Sequence, residues 1–540
     1  MEVNMFNLFM RSVMVLALLF GLLFAVGMGV MFYFELPTVF PVLFAIGIVL
    51  LQYALGPWIL EWIYKIQWQE MRSIDPSLAD FVENVCAAKG IPLPKFGIIE
   101  DGNPNAFTFG HYPGDARLVV TSGLVQKLDQ QELQAVVAHE LGHIAHWDFV
   151  VMTVATIVPL LLYILYMGAR LGRRVRRRGR SSGLAVLVAL ISYIAYIVSH
   201  YIVLLLSRVR EYYADQFAGE VTGNPEALST ALVKVAYGLA TTSQDEKRND
   251  TRMAAARTMG IFDPMTAQSL ALAGAAVGTI TPQTMAGAMK WDLWNPWAMF
   301  YEFSSSHPLP AKRIRALERQ TESMGKAPRF SFRQEKPESY WDEFLVDVLA
   351  NYLPLIGFIL GSILAGLIIW QLGTIAGAIG VILLALCVTW ALKRWFSYHH
   401  DFQAPRTVKS LVDEIKVSRV RSIPCTLEGE IIGRGVPGLF YSDDLVLRDN
   451  TGFMIVDYRQ PMRIFELLFG VLKAEELIGK RGKVMGWYRR APRPYIELRK
   501  LEFQDGTKVT SYLYPVQQFF LYCGLALGLF LTVASFVVGF

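Results

Sequence analysis

The sequence predicts an α-helical, multi-pass membrane protein that also carries one soluble region of mixed α+β structure and one small β-barrel. Of the 540 residues, 53% are hydrophobic and only 18% are charged, a composition too apolar for an ordinary soluble protein. Seven apolar segments are long enough to cross a bilayer, which takes about 20 residues. Between these segments, helix and strand patterns alternate with turns, which indicates folded soluble regions.

The net charge and the cysteine spacing further limit the class of protein. The formal net charge of +5 is small for this length, so it suits basic flanks beside a membrane better than nucleic-acid binding. The four cysteines, at positions 86, 387, 425 and 523, are widely spaced and form no CxxC pair. We therefore expect neither a disulfide framework nor a cysteine metal site.

Residues 1–60 are predicted to form two transmembrane helices. The apolar runs Val13–Phe34 and Val39–Ile59 are joined by the short link Glu35–Pro37. The first run is long, is followed at once by a second run and has no clear cleavage site. We therefore expect it to be a retained span and not a signal peptide.

Residues 61–149 are predicted to begin a soluble domain. Ser77–Lys89 has the pattern of an amphipathic helix that ends before a glycine, whereas Phe96–Glu100 and Arg117–Thr121 have the pattern of strands. A turn-rich loop, Gly102–Phe107, lies between the two strands.

The helix that follows, capped by Asp129, carries the H-E-x-x-H pattern HELGH. Residues four apart lie on the same face of a helix. His139 and His143 can therefore offer two imidazoles to one Zn²⁺ ion, while Glu140 beside them can accept a proton from water. The alternative is a structural helix whose two histidines are satisfied by other contacts.

Residues 150–206 are predicted to form a transmembrane hairpin. Its two spans are Val150–Leu171 and Leu184–Leu206, and seven arginines lie between positions 170 and 180.

Residues 207–345 are predicted to continue the soluble domain. Ser207–Gly219 has the pattern of a helix that extends the fourth span. Ala267–Met289 is apolar but is interrupted by glycine and proline, so we expect buried soluble helices there and not a further span.

A catalytic zinc site requires a third protein ligand and one open position. His146 is the nearest further histidine, but seven residues from His139 correspond to about 10 Å along a helix, too far for one ion. Glu211 is the better candidate, because it lies on the helix that returns from the membrane beside the HELGH helix. Asp215, one turn later, could accept a hydrogen bond from a ligand histidine. Alternatively, both carboxylates could pair with two nearby arginines at a solvated helix end.

Residues 353–392 are predicted to form another transmembrane hairpin, and residues 515–540 a seventh span. Residues 396–508, between them, form a soluble β-rich domain. Three strands, a helix and two further strands follow one another in the order of an OB-like barrel. These strands are expected at Cys425–Ile432, Asp444–Arg448, Gly452–Tyr458, Lys483–Arg489 and Tyr495–Phe503.

The β-rich domain contains the interleaved aromatic and basic segment Trp487–Arg490. On an OB-like barrel, such a segment could bind single-stranded nucleic acid. Because the domain is tethered between membrane spans, we expect residues 396–508 to contact a membrane-protein partner, lipid headgroups or the rest of the chain instead.

The motifs taken together resemble the HtpX-like membrane zinc metalloproteases, relatives of the CAAX prenyl proteases. The resemblance covers about residues 1–320, and residues 353–540 have no counterpart in it. It rests on five segments in order: Asn103–Gly110 (NPNAFTFG), Leu118–Thr121 (LVVT), His139–Asp148 (HELGHIAHWD), Ser207–Asp215 (SRVREYYAD) and Ser306–Ile314 (SHPLPAKRI).

The resemblance implies a zincin-like metalloprotease domain with one catalytic Zn²⁺ ion. Its ligands would be His139, His143 and Glu211, and Glu140 would be the general base. Such a metal activates water near neutral pH, and Glu140 would then accept the proton and return it to the leaving amine.

The resemblance also implies that Asn105 and His307 lie near the scissile carbonyl. A donor such as His307 would stabilise the oxyanion by about 3 kcal/mol. Each residue has a structural alternative, Asn105 as an ordinary turn residue and His307 as a helix-start residue before Pro308.

The strand at Arg117–Thr121 is predicted to pair its edge with an extended substrate. Main-chain pairing of this kind tolerates many substrate sequences. The residues concerned are Leu118, Val119, Val120 and Thr121.

The sequence therefore predicts a membrane-embedded zinc endopeptidase that cleaves membrane or misfolded proteins, as in protein quality control. One alternative is a protease for lipid-modified C-termini, which a large intramembrane chamber would favour. Another is a non-catalytic membrane scaffold that works through the β domain, against which the intact set of ligands and base argues.

If all seven segments cross, the N-terminus, the catalytic segments and the β domain share one side. The short links at Glu35 and at Gln371–Gly373 on the opposite side have no basic residue, so the positive-inside rule predicts a cytoplasmic catalytic side. The arginine-rich loop at 170–180 argues for the opposite orientation. The basic flanks on the catalytic side are Arg11, Lys65, Arg72, Arg208, Arg210, Lys393 and Arg394.

A protease-protection experiment tests this orientation. A peptide tag inserted at Gly179 should be cleaved by protease added to intact cells, because the predicted topology puts it on the external side. Cleavage only after the membrane has been broken would place the loop in the cytoplasm and contradict the topology.

Overall fold

The computed structural model describes residues 39–102, 104–175, 182–241, 289–328, 338–402, 405–434, 444–491 and 493–538. The predicted first span, residues 176–180 of the arginine-rich loop and nearly all of Ala267–Met289 lie outside these residues. The chain divides into two compact units, which are described in turn: Met1–Ala267 with Glu302–Phe330, and Gln268–Tyr301 with Ser331–Phe540.

The first unit combines long apolar helices with a small sheet. In chain order its elements are α1 (Val39–Tyr64), β1 (Gln67–Trp68), α2 (Met71–Ile74), α3 (Pro76–Lys89), β2 (Lys95–Ile99), β3 (Ala106–Phe109), β4 (Arg117–Thr121), α4 (Ser122–Lys127), α5 (Gln130–Ala145), α6 (Asp148–Val175), α7 (Ser182–Thr222) and α8 (Pro225–Thr241). The chain re-enters this unit along α9 (Pro296–Phe303), and α10 (Pro310–Ser323) follows. Helices α1, α6 and α7 each contain a stretch long and apolar enough to cross a membrane.

The four strands form one sheet in the order β1-β2-β4-β3. β2 and β4 run parallel, whereas β3 runs antiparallel to β4. The end of α1 packs against this sheet, since Tyr64 shares one buried cluster with Phe107, Phe109 and Val119. A candidate membrane helix therefore ends directly on the sheet that borders the HELGH helix.

The position of β4 corrects the prediction for the substrate strand. β4 is hydrogen-bonded on both sides, so Leu118, Val119, Val120 and Thr121 have no free edge to offer. All four residues are fully buried, as expected for a central strand. The neighbouring edge strand in the described sheet is β3.

Helix α5 starts as predicted and packs closely on α7. The Asp129 side chain accepts from the main-chain nitrogen of Glu132, and the Glu132 side chain accepts from that of Asp129, which completes a capping box. A Cβ atom at Gly142 would lie only 3.0 Å from Cα of Ala214. The glycine of HELGH therefore allows the two helix backbones to touch.

Helix α7 connects the membrane hairpin to the soluble part without a break, which confirms the predicted extension of the fourth span. Its 41 residues correspond to about 60 Å, twice the thickness of a hydrocarbon core of about 30 Å. The second half of this helix can therefore carry site residues while the first half crosses the bilayer.

The second unit contains three further candidate membrane helices and a barrel. Its remaining elements are α11 (Trp341–Leu372), α12 (Ile375–Ser397), α13 (Val408–Val412), β5 (Ile423–Arg434), β6 (Leu445–Arg448), β7 (Phe453–Asp457), α14 (Arg463–Leu472), β8 (Arg481–Arg490), β9 (Pro494–Phe503), β10 (Lys508–Thr510) and α15 (Leu513–Val538). With α11, α12 and α15, the described residues include six helices long and apolar enough to cross a membrane.

The barrel confirms the predicted OB-like arrangement. Strands β5, β6, β7, β9 and β8 follow one another around it, and β8 pairs back with β5 to close it. β7 and β9 are parallel, and α14 lies between β7 and β8 in the chain. Closure leaves none of these five strands as a free sheet edge.

Residues 289–301 belong with the second unit, which differs from the predicted assignment of residues 207–345 to the protease domain. Trp291 is fully buried and donates through Nε1 to the Val417 carbonyl at 2.8 Å. Asp292 pairs with Arg490 at 3.1 Å, and both side chains are 0% exposed. Burying this charged pair ties the segment to the barrel.

The interleaved segment at Trp487–Arg490 is structural and does not form an exposed binding face. Trp487 is 1% exposed and donates through Nε1 to the His399 carbonyl at 2.8 Å. Arg489 is 3% exposed and donates to Glu497 at 2.8 Å. These side chains hold the barrel to the end of α12.

Candidate metal centre

Helix α5 presents two imidazoles and a carboxylate on one side. His139 is fully buried, and Glu140 is nearly so. One helical turn separates His139 from His143, so their Nε2 atoms lie 3.2 Å apart. The two histidines and Glu140 offer ligand atoms that all lie within 4.8 Å of one another.

Glu211, from α7, faces the same two histidines. Its Oε2 lies 3.6 Å from Nε2 of His139, and its Oε1 lies 3.7 Å from Nε2 of His143. A tetrahedral metal with bonds of about 2.0–2.1 Å holds its ligand atoms roughly 3.3 Å apart. Within the described residues, the buried Oε2 of Glu211 accepts no hydrogen bond. The three side chains therefore fit one small divalent cation.

Each histidine meets a further carboxylate at its other ring nitrogen. Oδ1 of Asp215 lies 3.0 Å from Nδ1 of His139, and Oδ2 of Asp148 lies 2.6 Å from Nδ1 of His143. When Nδ1–H donates to a carboxylate, the lone pair of Nε2 is left for a metal. The two rings are thus oriented with both Nε2 atoms toward the shared space.

The sequence analysis singled out Asp215 but missed Asp148. Asp148 is the first residue of α6, and it contacts His143 across the break between α5 and α6, where Trp147 has a left-handed φ of 59°. The motif HELGHIAHWD ends on Asp148, but neither helical spacing nor capping rules assign a role to a residue beyond a helix break.

Arg313, on α10, is the second residue that sequence reasoning missed. It is 0% exposed, and its guanidinium lies 2.6 Å from Oδ1 of Asp215 and 3.3 Å from Oε2 of Glu211. One cation therefore offsets two buried carboxylates, each of which would be costly alone. Arg313 lies within the segment SHPLPAKRI, so the motif contained it without indicating what it contacts.

The alternative pairing of Glu211 and Asp215 with the arginines of the same helix does not occur among the described residues. Arg208 donates to main-chain carbonyls at the end of α9 and just beyond it. Arg210 pairs with Asp148. The two carboxylates face the histidines and Arg313 instead.

Burial and the nearby carboxylates shift the pKa values of the cationic side chains at the site in opposite directions. Burial lowers the pKa of His139, but the neighbouring carboxylates of Asp215 and Glu211 outweigh it and raise the pKa to about 9. Burial, together with the charge of His139, lowers the pKa of His143. Burial also opposes the charged form of Arg313, whereas the carboxylate of Asp215 raises the pKa of Arg313 above its ordinary value. The carboxylates thus favour positive charge at this position.

Glu140 lies at a cavity of about 190 Å³ next to the histidines. The Thr108 hydroxyl, on β3, donates to Oε2 of Glu140 at 3.0 Å. Phe149 and Met152, in the first turns of α6, form part of the wall, so the cavity borders a membrane helix. The other lining residues are His143, Asp148, Ser207, Arg210, Glu211 and His307.

The structure brings His307 to this cavity, whereas Asn105 is not among the residues that line it. Nε2 of His307 lies 3.5 Å from Oε1 of Glu211. Asn105 is buried just before β3, where its main-chain nitrogen donates to the Thr121 hydroxyl at 2.8 Å. Asn105 therefore holds the start of the edge strand.

His146 lies away from the ligand atoms. It is the C-cap residue of α5, and its ring packs near Tyr213 and Phe217, with centroid distances of 5.9 and 6.1 Å. This agrees with the expectation that axial distance removes it from the metal.

Comparison with known proteins relates this geometry to a family. The model of peptidase family M48 matches residues 73–321. A protease HtpX homolog from Methanothermobacter thermautotrophicus is 36% identical over 244 residues, which cover 45% of this chain and 91% of that protein. The chain belongs to the HtpX-like peptidases of family M48. A protease HtpX homolog from Thermoplasma acidophilum is 28% identical and is likewise covered to 91%, over 56% of this chain.

The predicted family is thus confirmed, and this HtpX-like protein is a membrane metalloprotease. Its family match ends at residue 321, before the second group of membrane helices begins. Among solved structures, S. mikatae Ste24p is similar, with 17% identity, a TM-score of 0.34 and coverage of 57% of this chain and 65% of that one. A TM-score this low does not indicate a shared overall fold.

Metal content distinguishes the two candidates for the third ligand. Glu211→Ala should weaken metal binding more than about 100-fold, since even residues that only support a ligand typically contribute 10- to 100-fold. His146→Ala should retain the metal of the wild type, because its ring lies outside the ligand set. Elemental analysis of both purified proteins after dialysis measures the difference. Equal metal in the Glu211 variant and the wild type would remove Glu211 from the site.

Proposed function

We propose that the metal is zinc, that His139, His143 and Glu211 hold it, and that this metalloprotease is an endopeptidase. The proposal rests on the spacing of 3.2 to 3.7 Å among the two Nε2 atoms and the carboxylate oxygens of Glu211, directly beside the cavity that Glu140 lines.

The donor set favours zinc over other common divalent cations. Zinc binds imidazole and carboxylate and keeps a fourth position for water at catalytic sites. Calcium and magnesium prefer sites made of oxygen atoms alone. Bound here, zinc would supply a Lewis acid that polarises a peptide carbonyl and makes water a stronger nucleophile.

Glu140 is proposed as the general base. The Thr108 hydroxyl donates to Oε2, which holds the carboxylate in place and leaves Oε1 for the attacking water. Glu140 would accept the proton of that water as the peptide carbonyl is attacked, and would then deliver it to the leaving amine. Its near-complete burial excludes bulk water that would compete for this proton.

His307 is proposed to stabilise the negative charge that develops on the carbonyl oxygen. It lines the cavity, and the Ser305 hydroxyl accepts from its main-chain nitrogen at 3.2 Å, which orients the residue. A single donor of this kind contributes about 3 kcal/mol to the transition state. Asn105 would act less directly, by holding β3 at its start.

We assign the pairing of an extended substrate to β3, in place of β4. Thr121 donates through its main-chain nitrogen to the Asn105 carbonyl at 3.0 Å. Because hydrogen-bonded pairs alternate along antiparallel strands, the main-chain groups of Ala106 and Thr108 point away from β4. A substrate strand along this edge would pass the cavity beside Glu140.

The substrates proposed are membrane or misfolded proteins. Phe149 and Met152, at the start of a membrane helix, line the cavity, so polypeptide substrates at the bilayer surface reach it readily. At about 190 Å³ the cavity is smaller than the roughly 300–1,000 Å³ of a typical ligand pocket. This favours an extended peptide over the lipid-modified C-terminus of the alternative function. The proposed catalytic side is the cytoplasm, because basic flanks predominate there.

Replacement of the base separates chemistry from metal binding. Glu140→Gln should lower cleavage of casein by at least about 100-fold, because the amide cannot accept the proton. Zinc content should stay that of the wild type. The matched control is Glu220→Gln, on the exposed surface of α7, which should cleave casein normally. Casein cleavage by pure, metal-loaded Glu140→Gln protein would remove Glu140 from this role.

Two substitutions at Thr108 test the edge strand. Thr108→Val removes the hydroxyl but keeps the main-chain N–H, whereas Thr108→Pro removes both. An edge strand tolerates proline where its N–H points outward. The proline variant should therefore have a kcat/KM about three- to tenfold below that of the valine variant, the effect of one hydrogen bond. Identical values for the two variants, measured on an unstructured peptide, would contradict pairing at this residue.

A further inference from the structure

A second cavity, of about 310 Å³, lies within the second unit where three membrane helices meet the barrel. Asn351 contributes to it from α11, Lys393 and Arg394 from the end of α12, and Gln517 from the beginning of α15. The barrel side contributes Arg419 among others. The cavity therefore lies at the level where the chain passes from membrane helices to a soluble fold.

The lining of this cavity has a marked excess of positive charge. Among the described residues, five cations line it, and Glu497 is the one carboxylate. Glu497 is already paired with Arg489 at 2.8 Å, and Asp457 neutralises Arg459 at 2.5 Å. Three cations thus remain without a carboxylate partner in the part of the chain that the structure describes: Lys393, Arg394 and Arg419.

Neutral groups hold two of these three cations in place. Lys393 donates to the main-chain and side-chain oxygens of Asn351 at 3.0 and 3.2 Å. Arg394 is 5% exposed and donates to Gln517 and to the Tyr514 carbonyl. Arg419 lies exposed at the rim. A fixed, partly buried arrangement of unneutralised Lys and Arg side chains favours an anion, and phosphate most of all.

The apolar surface of α14 is suited to contact with the bilayer. One face of α14 packs on the barrel through Phe469, whose ring stacks on Tyr458 at 4.0 Å. The opposite face, together with the N-cap residue Met462, exposes seven large apolar side chains at 38 to 64% of their area, which is typical of a helix that lies in a membrane interface. These side chains are Met462, Ile464, Phe465, Leu467, Leu468, Val471 and Leu472.

The start of α14 is fastened to the residues that lead into α15. Gln460 donates to the Thr510 carbonyl at 2.9 Å and accepts from the nitrogen of Tyr512 at 3.1 Å. The Ser511 hydroxyl donates to the carbonyl of Arg459, which itself lines the cavity. The apolar helix, the cavity and the entry of α15 into the membrane therefore lie together.

We propose that this cavity binds the phosphate headgroup of an anionic phospholipid. The unneutralised cations at the membrane boundary supply the attraction, since basic pockets between membrane helices are suited to such headgroups. A free phosphate ion offers the same charge and oxygen atoms. The position beside α14 and α15 favours the lipid, whose acyl chains would lie in the bilayer next to these helices.

Binding measurements on the full-length protein in detergent test the proposal independently of proteolysis. The probes are phosphatidylglycerol, phosphatidylcholine and inorganic phosphate, and retention is measured by native mass spectrometry with titration. Phosphatidylglycerol should bind, and Arg419→Gln and Lys393→Gln should each weaken its binding by about fivefold, the effect of one basic residue near anionic lipid. Lys483→Gln, which removes an exposed cation six residues before Arg489 on β8, should leave binding unchanged.

Each result decides the assignment. Weaker binding by both cavity variants, with an unchanged unfolding temperature in the absence of lipid, supports the site. Equal binding of phosphatidylglycerol by wild type and both variants overturns it. Inorganic phosphate that competes at the same concentration as the lipid would identify a soluble anion as the ligand and overturn the lipid assignment. Equal retention of phosphatidylcholine and phosphatidylglycerol would show that the charge of the headgroup plays no part, and would also overturn the proposal.

Discussion

The close contact between Gly142 and Ala214 determines the geometry of the protease site. Two helices can approach at this distance only where one of them lacks a side chain, and a methyl group on Gly142 would meet Cα of Ala214 at 3.0 Å. The histidines lie on either side of this glycine along α5. Glu211 and Asp215 lie on either side of Ala214 along α7. The helix contact therefore sets the separation of the nitrogen and oxygen atoms that face one another.

Charge balance is the second constraint on the same site. Glu211, Asp215 and His139 are buried, and an isolated buried charge is strongly destabilising. Arg313 enters from α10, a helix distant in sequence, and contacts both carboxylates. A cation between the two Nε2 atoms and Glu211 would add to the same balance. The same buried charges therefore stabilise both the metal site and the packing of α7 against α10.

The second unit also depends on the balance of buried charges. Buried Arg490 and Asp292 join the barrel to a segment that lies between the two sequence parts of the protease. Around the cavity at the ends of α11, α12 and α15 the balance is incomplete, since Lys393 and Arg394 have only neutral hydrogen-bond partners among the residues that the structure describes. Fully paired charges stabilise the fold, whereas unpaired charges at a membrane boundary mark a place where a ligand can supply the missing charge.

Local patterns in the sequence determined the HELGH helix, the six membrane segments within the described residues, the histidine pair and the order of strands in the barrel. These features depend on hydrophobic periodicity, capping and spacing within one or two turns, and so can be derived from neighbouring residues. Glu211 was also within reach, because a hairpin of two membrane helices brings its ends together. Tertiary structure alone decided that Asp148 and Arg313 complete the site, that β3 and not β4 forms the edge, and that residues 289–301 join the barrel. The apolar run Leu118–Val120, without alternating polar residues, was a signal for a central strand, but strand order depends on pairing between distant residues. A lone arginine or aspartate acquires its role from the side chains that folding brings against it, and no local periodicity encodes those contacts.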